Sequence, residues 1–124
     1  MPSVPPKQIL VVDDEPFVCE SIKMLLSYDG HTVQTASGAV EALAQFDPRT
    51  VHVVFTDFAM PGMKGDQLAE AIKARSPNTP VILLTAFPPP TKPAAVDLVL
   101  TKPFMLETLR EGLRKVFGLE KPSS

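Results

Sequence analysis

A chain of 124 residues with a formal charge of −2 is sized for one domain around a single core, without room for a second effector module. It has no basic surplus to lay along a nucleic-acid backbone, and no apolar run approaches the ~18 residues of a membrane span. Its single cysteine, Cys19, cannot form an internal disulfide, and the N-terminus lacks the charged-then-apolar pattern of a secretion signal, so the expectation is a cytoplasmic domain.

Residues 1–7 read as a proline-rich leader. Gln8–Val12 is a short, continuously apolar run, the pattern of a strand buried on both faces. It ends on Asp13-Asp14, and Glu15-Pro16 follows, with proline suited to a first helical turn. Phe17, Val18, Ile22, Leu25 and Leu26 recur at helical spacing as far as Tyr28-Asp29-Gly30, where glycine suits a helix end. Thr32–Ala36 reads as a second strand, and Gly38–Phe46 as a second helix with Val40, Leu43 and Phe46 on one side. Val51–Thr56 is a third strand that delivers Asp57 into the loop Phe58-Ala59-Met60-Pro61-Gly62. Leu68 and Ile72 mark a third helix that stops near Arg75-Ser76-Pro77. Val81–Leu84 and Val96–Leu100 are the fourth and fifth strands, and Leu106, Leu109, Leu113, Val116 and Phe117 form a last amphipathic helix. Residues 118–124 read as a short tail with no output domain, which leaves 8–117 as the domain.

Alternating strands and helices with continuously apolar strands predict an α/β fold, a doubly wound five-stranded parallel sheet in the order 2-1-3-4-5. Strands one and three are then neighbours, and Asp13, Asp14 and Asp57 converge at their carboxyl ends. Thr85 and Lys102 end strands four and five nearby. Three carboxylates together repel one another and call for a cation; Mg²⁺, a hard ion content with carboxylates and water, fits best. A carboxylate can attack phosphorus to give an acyl phosphate, and Lys102 and Thr85 offer positive charge and a donor to the transferring group. Taken alone, Asp13-Asp14 would sooner cap the following helix. Lys92 repeats the tripeptide context of Lys102 but has no strand before it, and reads as a solvated loop residue. His52 reads as an ordinary strand-end histidine and Cys19 as a small apolar filler.

Val11-Val12-Asp13-Asp14-Glu15, Thr56-Asp57-x-x-Met60-Pro61-Gly62-Met63-x-Gly65, Leu84-Thr85-Ala86 and Thr101-Lys102-Pro103-Phe104 resemble, in this order, the receiver domain of two-component response regulators. The resemblance implies a flavodoxin-like fold and a phosphorelay module rather than a turnover enzyme. It implies Asp57 as phospho-acceptor, with Mg²⁺ held by Asp13, Asp14, Asp57 and the backbone carbonyl of Ala59. Thr85 and Lys102 would bind phosphoryl oxygens, with the Lys102-Pro103 bond often cis in such domains. Implied partners are a histidine kinase or histidine phosphotransfer protein, an output protein the sequence does not name, and at most a weak association with a second copy. An alternative function is a constitutive docking module that uses the proline-rich loop without phosphorylation.

Two departures from the family pattern stand out. Residues 86–95 contain Phe87-Pro88-Pro89-Pro90-Thr91-Lys92-Pro93. This span is close to the minimum of roughly 10–12 residues for a parallel crossover, and its prolines remove donors a helix needs. The family's fourth helix is therefore expected to be missing or reduced to a turn. Three residues before the lysine, where such domains commonly carry Tyr or Phe, this chain has Val99, so the usual threonine–aromatic switch has no swinging partner.

Overall fold

Five parallel strands, β1 (Gln8–Val12), β2 (Thr32–Ala36), β3 (Val53–Asp57), β4 (Val81–Thr85) and β5 (Leu98–Thr101), form one sheet in the order β2-β1-β3-β4-β5. The computed structural model describes residues 4–118. Among the described residues four helices cover the sheet: α1 (Pro16–Tyr28), α2 (Ala39–Gln45), α3 (Gly65–Arg75) and α4 (Leu106–Val116). The continuous apolarity of the strands has a direct cause, since successive side chains point to opposite faces and both faces are covered. Leu10, Val12, Val54 and Leu83 pack with Ala42, Leu68 and Ile72 of α2 and α3. Ile9, Val11, Phe55 and Leu84 pack with Ile22 and Leu26 of α1 and Leu109 and Leu113 of α4. Among the described residues no helix is long and apolar enough to cross a membrane.

Helical spacing alone admits neighbouring stripes, and the sheet selects one of them. On α1 the buried residues are Cys19, Ile22 and Leu26, whereas Phe17 is 82% exposed. On α2 the buried positions are Ala39 and Ala42, and Val40 points outward. The last three strands each end one residue later than the sequence pattern, and two of them also start later. Val51 is buried, but its N–H goes to the Asp47 carbonyl in a turn, so β3 starts at Val53. Val96 is likewise buried, with its N–H turned back to Pro93, so β5 starts at Leu98.

The crossover from β4 to β5 contains no helix. Val96 fills the core in place of a helix face, and Ala95 and Val99 pack beside it. Lys92, read from sequence as merely solvated, is exposed but donates its ammonium to the Val96 carbonyl. Asp97 accepts both the Lys73 ammonium (2.6 Å) and the Val81 N–H (2.8 Å), which pins the start of the β4–β5 pair. Side-chain bonds to the backbone thus replace a helical ladder and keep Thr101 in register with Thr85.

At the other end of the sheet the two histidines act as acceptors for the entering chain. His31 Nδ1 receives the Lys7 N–H at 3.0 Å, and His52 Nδ1 receives the Gln8 N–H at 2.9 Å. Val4 packs on the core and the Lys7 ammonium sits 4.5 Å from the Phe117 ring centroid. Of the leader and tail read from the sequence, residues 1–3 and 119–124 lie outside the described residues.

Candidate functional site

The switch point of the sheet order places the carboxyl ends of β1 and β3 side by side, with Val12 opposite Thr56. The acidic residues that end β3 and follow β1 therefore meet. One carboxylate oxygen from each of Asp13, Asp14 and Asp57 lies within 4.8 Å of the other two. Asp13 and Asp57 are buried, at 3% and 8% exposure, and Asp14 is exposed. The Lys102 ammonium, just past the end of β5, stands 3.9 Å from Asp57 Oδ1 and 4.0 Å from Asp13 Oδ2, and the Lys102-Pro103 bond is cis.

Local hydrogen bonds aim the two buried carboxylates. Asp13 Oδ1 accepts the Glu15 N–H at 2.9 Å, and Asp57 Oδ1 accepts the Phe58 N–H at 2.9 Å. The helix-capping alternative for Asp13 has only this local content, because α1 is capped at Glu15 without a side-chain bond. Burial pushes the Asp13 carboxyl up to about 6, assisted by the charge of Asp57 and opposed by the Glu15 amide and Lys102. Burial also raises Asp57, against the pull of Lys102 and the Phe58 amide. Lys102 alone thus under-compensates the acidic cluster. A donor set made only of carboxylate oxygens, short of positive charge and open to solvent at Asp14, fits a hard divalent ion.

Thr85 ends β4, buried, and its Oγ1 accepts the N–H of Phe87 at 3.1 Å. Ala59 is exposed two residues after Asp57. Thr85, Lys102, Asp13, Asp14 and Asp57 are therefore all at the carboxyl edge of the sheet, as read from the sequence. Lys92 is instead committed to Val96, and His31 and His52 serve at the amino edge. Cys19 is buried with its thiol against the Asp13 carbonyl at 3.4 Å, and burial raises its pKa to about 11, which keeps it protonated and unreactive. Sequence reasoning missed the Phe58 amide and the Thr85–Phe87 bond, since a main-chain N–H has no residue-type signal. Near the start of α3, Asp66 Oδ1 is shielded and has no partner among the described residues.

Comparison with known proteins gives a consistent result. Residues 9–114 match the family described as response regulator receiver domain. The transcriptional regulatory protein TrcR of Mycobacterium tuberculosis is 33% identical over 132 residues, covering 95% of this chain and 49% of TrcR. The response regulator MprA of a Mycobacterium species is 32% identical, covering 94% of this chain and 53% of MprA. The chain thus spans about half the length of these relatives. Among solved structures, the chemotaxis protein CheY4 of Vibrio cholerae superposes with a TM-score of 0.83 at 29% identity, covering 90% of this chain and 99% of that one. The response regulator TrrA of Thermotoga maritima, in complex with Mg²⁺ and BeF, gives 0.81 at 34% identity, covering 89% and 98%. Fold, order of motifs and family match coincide over the same residues, and the chain belongs to the response regulator receiver domains, the signalling modules of two-component systems.

Proposed function

We propose that this domain accepts a phosphoryl group on Asp57 from a phosphohistidine of a kinase or phosphotransfer protein, in a Mg²⁺-dependent reaction. The observation that carries the reading is the meeting of Asp13, Asp14 and Asp57 within 4.8 Å with the Lys102 ammonium 3.9 Å from Asp57. Asp13, Asp14, Asp57 and the Ala59 carbonyl are the groups that would hold the ion. When bound, Mg²⁺ would neutralise the carboxylates and draw charge from the phosphoryl oxygens. An Asp57 oxygen attacks phosphorus as the phosphorus–nitrogen bond breaks; its electron pair stays on the histidine, and an acyl phosphate forms. The oxygen not held by the Phe58 amide is the natural nucleophile, because Oδ1 is already committed to it. Lys102 offsets charge on the transferred group, and the Thr85 hydroxyl donates to one of its oxygens. Domains of this family receive their phosphoryl groups from histidine kinases, which names the donor class.

The output surface follows from the same atoms. Thr85 has one hydroxyl proton to give, and its oxygen also holds the Phe87 N–H at the mouth of the proline-rich loop. Turning that hydroxyl toward a phosphoryl oxygen on Asp57 loosens the hold on Phe87, which is already 86% exposed. With Val99 unable to swing, the loop 86–97 becomes the moving part of an atypical output face. Hydrogen exchange with and without beryllofluoride tests this: faster exchange at Phe87 is expected, and unchanged exchange across the loop would refute it.

The central test is intact-protein mass after incubation with acetyl phosphate and Mg²⁺, beside Asp57→Asn. One added phosphoryl group on the wild type alone is the expected result. The exposed Phe87 and its run of prolines favour one second reading, constitutive docking through the loop. That reading gains if neither acetyl phosphate nor a panel of phosphorylated kinases modifies the chain.

A further inference from the structure

We infer that Gly65 is a positioning residue for the acceptor, holding both the Asp57 peptide and the metal-side loop by allowing helix α3 to press directly against them; this rests on the function proposed above. Gly65 is the first residue of α3 and is buried. A β-carbon at this position would lie 2.2 Å from the Asp57 carbonyl oxygen, 3.0 Å from its carbonyl carbon and 2.9 Å from Leu83 Cδ1. The Leu83 methyl can rotate away. The Asp57 peptide has no such rotation and yields only by a main-chain shift: it ends β3 opposite Leu84 of β4, and its carbonyl also accepts the Thr56 hydroxyl at 2.9 Å.

The reason for glycine here is therefore the approach of backbone to backbone and not a left-handed conformation. The Gly65 N–H in turn donates to the Phe58 carbonyl at 3.0 Å, closing the loop that carries Ala59. One contact thus sets two things at once: the direction in which Asp57 leaves its strand, and the position of the Ala59 carbonyl. Since carbon–oxygen contacts ordinarily stand at ~3.3 Å or more, any β-carbon forces the Asp57 peptide and the start of α3 apart by about 1 Å and so disturbs the aim of Asp57. A misplacement of that size at a reacting group costs on the order of 10²-fold in rate.

The test compares Gly65→Ala with Gly112→Ala. Gly112, in α4, would place its β-carbon 3.0 Å from Leu100 Cδ1, so it also crowds the core but contacts nothing in the acidic site. Acyl-phosphate formation from acetyl phosphate is followed by intact mass at saturating Mg²⁺, which separates a misaimed carboxylate from weakened metal holding. Thermal unfolding of each variant is recorded alongside. The expected result is a rate loss of about 100-fold for Gly65→Ala and less than about threefold for Gly112→Ala, even where both lose thermal stability.

A phosphorylation-independent readout is the amide resonance of Phe58, whose N–H is bonded to Asp57 Oδ1. It shifts in Gly65→Ala and stays in place in Gly112→Ala. Should Gly65→Ala fail to fold, Thr56→Val removes the hydroxyl on the same carbonyl without adding bulk; a several-fold slower reaction with an unchanged melting temperature is expected. Equal slowing of both glycine variants, or a wild-type rate and Phe58 resonance in Gly65→Ala, overturns the inference. So does a wild-type rate in Thr56→Val where that variant replaces Gly65→Ala. A wild type that takes no phosphoryl group overturns the proposed function instead, and the Phe58 resonance still decides the role of Gly65.

Discussion

Replacing Asp13 by Asn is expected to stabilise the metal-free domain at neutral pH while weakening its hold on Mg²⁺. Asp13 is 3% exposed, and burial raises its carboxyl from 3.8 to about 6. Each tenfold change in proton affinity is worth ~1.36 kcal/mol, so the charged form costs the fold roughly 3 kcal/mol above pH 7. Because the folded-state value lies above the unfolded one, the native state holds the proton more tightly. The associated stability is complete below about pH 4 and is lost as pH rises through about 6. Asparagine keeps the oxygen that accepts the Glu15 N–H but carries no charge. Urea unfolding of both proteins in a chelator, from pH 4.5 to 8, measures the difference. The gain for Asp13→Asn is expected to be about 2–3 kcal/mol at pH 7.5 and to shrink toward pH 4.5. Added Mg²⁺ narrows the gap by stabilising the wild type, since a ligand that binds only the native state adds to its stability. Equal or lower stability of Asp13→Asn at pH 7.5 in the chelator would refute the reasoning.

Further outcomes follow from groups outside the acidic site. Arg75 reaches from α3 to the Leu43 and Phe46 carbonyls at 2.8 and 3.0 Å, closing the carboxyl end of α2, so Arg75→Ala is expected to cost roughly 1–2 kcal/mol in urea unfolding. Arg75→Lys should recover only part of it, because an ammonium cannot fork to two carbonyls; full recovery would count against this account. His31, held below its ordinary value of 6.5 by burial and accepting the Lys7 N–H at Nδ1, should remain neutral with its proton on Nε2 at pH 6.5. Nitrogen-detected imidazole spectra check this, and an Nδ1–H tautomer would contradict it. That bond is present in the neutral form and is lost as pH falls through the lowered value.

Much of the fold was legible because local patterns and topology agree. Continuous apolar runs such as Val53-Val54-Phe55 cannot be surface strands, and short βα connections leave few sheet orders to choose from. The loss of the family's fourth helix was legible too, since proline excludes a helix by its own geometry wherever it sits. The side chains of the acidic site were readable as residue types at strand ends. Less legible were elements decided by partners across the chain. Val51 and Val96 are as apolar as any strand residue, yet their amides turn to Asp47 and Pro93 instead of a neighbouring strand. Phe17 fits a helical stripe as well as Cys19 does, and only the docking of α1 on the sheet selects Cys19.

The sequence by itself determined which segments extend, which coil, and where carboxylates, a threonine and a lysine leave their strands. It did so because strand pairing, helix burial and proline exclusion act through composition and spacing over a few residues. Tertiary structure alone decided how deeply Asp13 and Asp57 are buried and how near Lys102 comes to them, that burial raises both acids, and that Phe87 hangs on the Thr85 hydroxyl. It also decided that α3 touches the acceptor's own peptide at Gly65. These depend on burial and on exact backbone placement, and desolvation and close contact exist only once the sheet and its helices have packed.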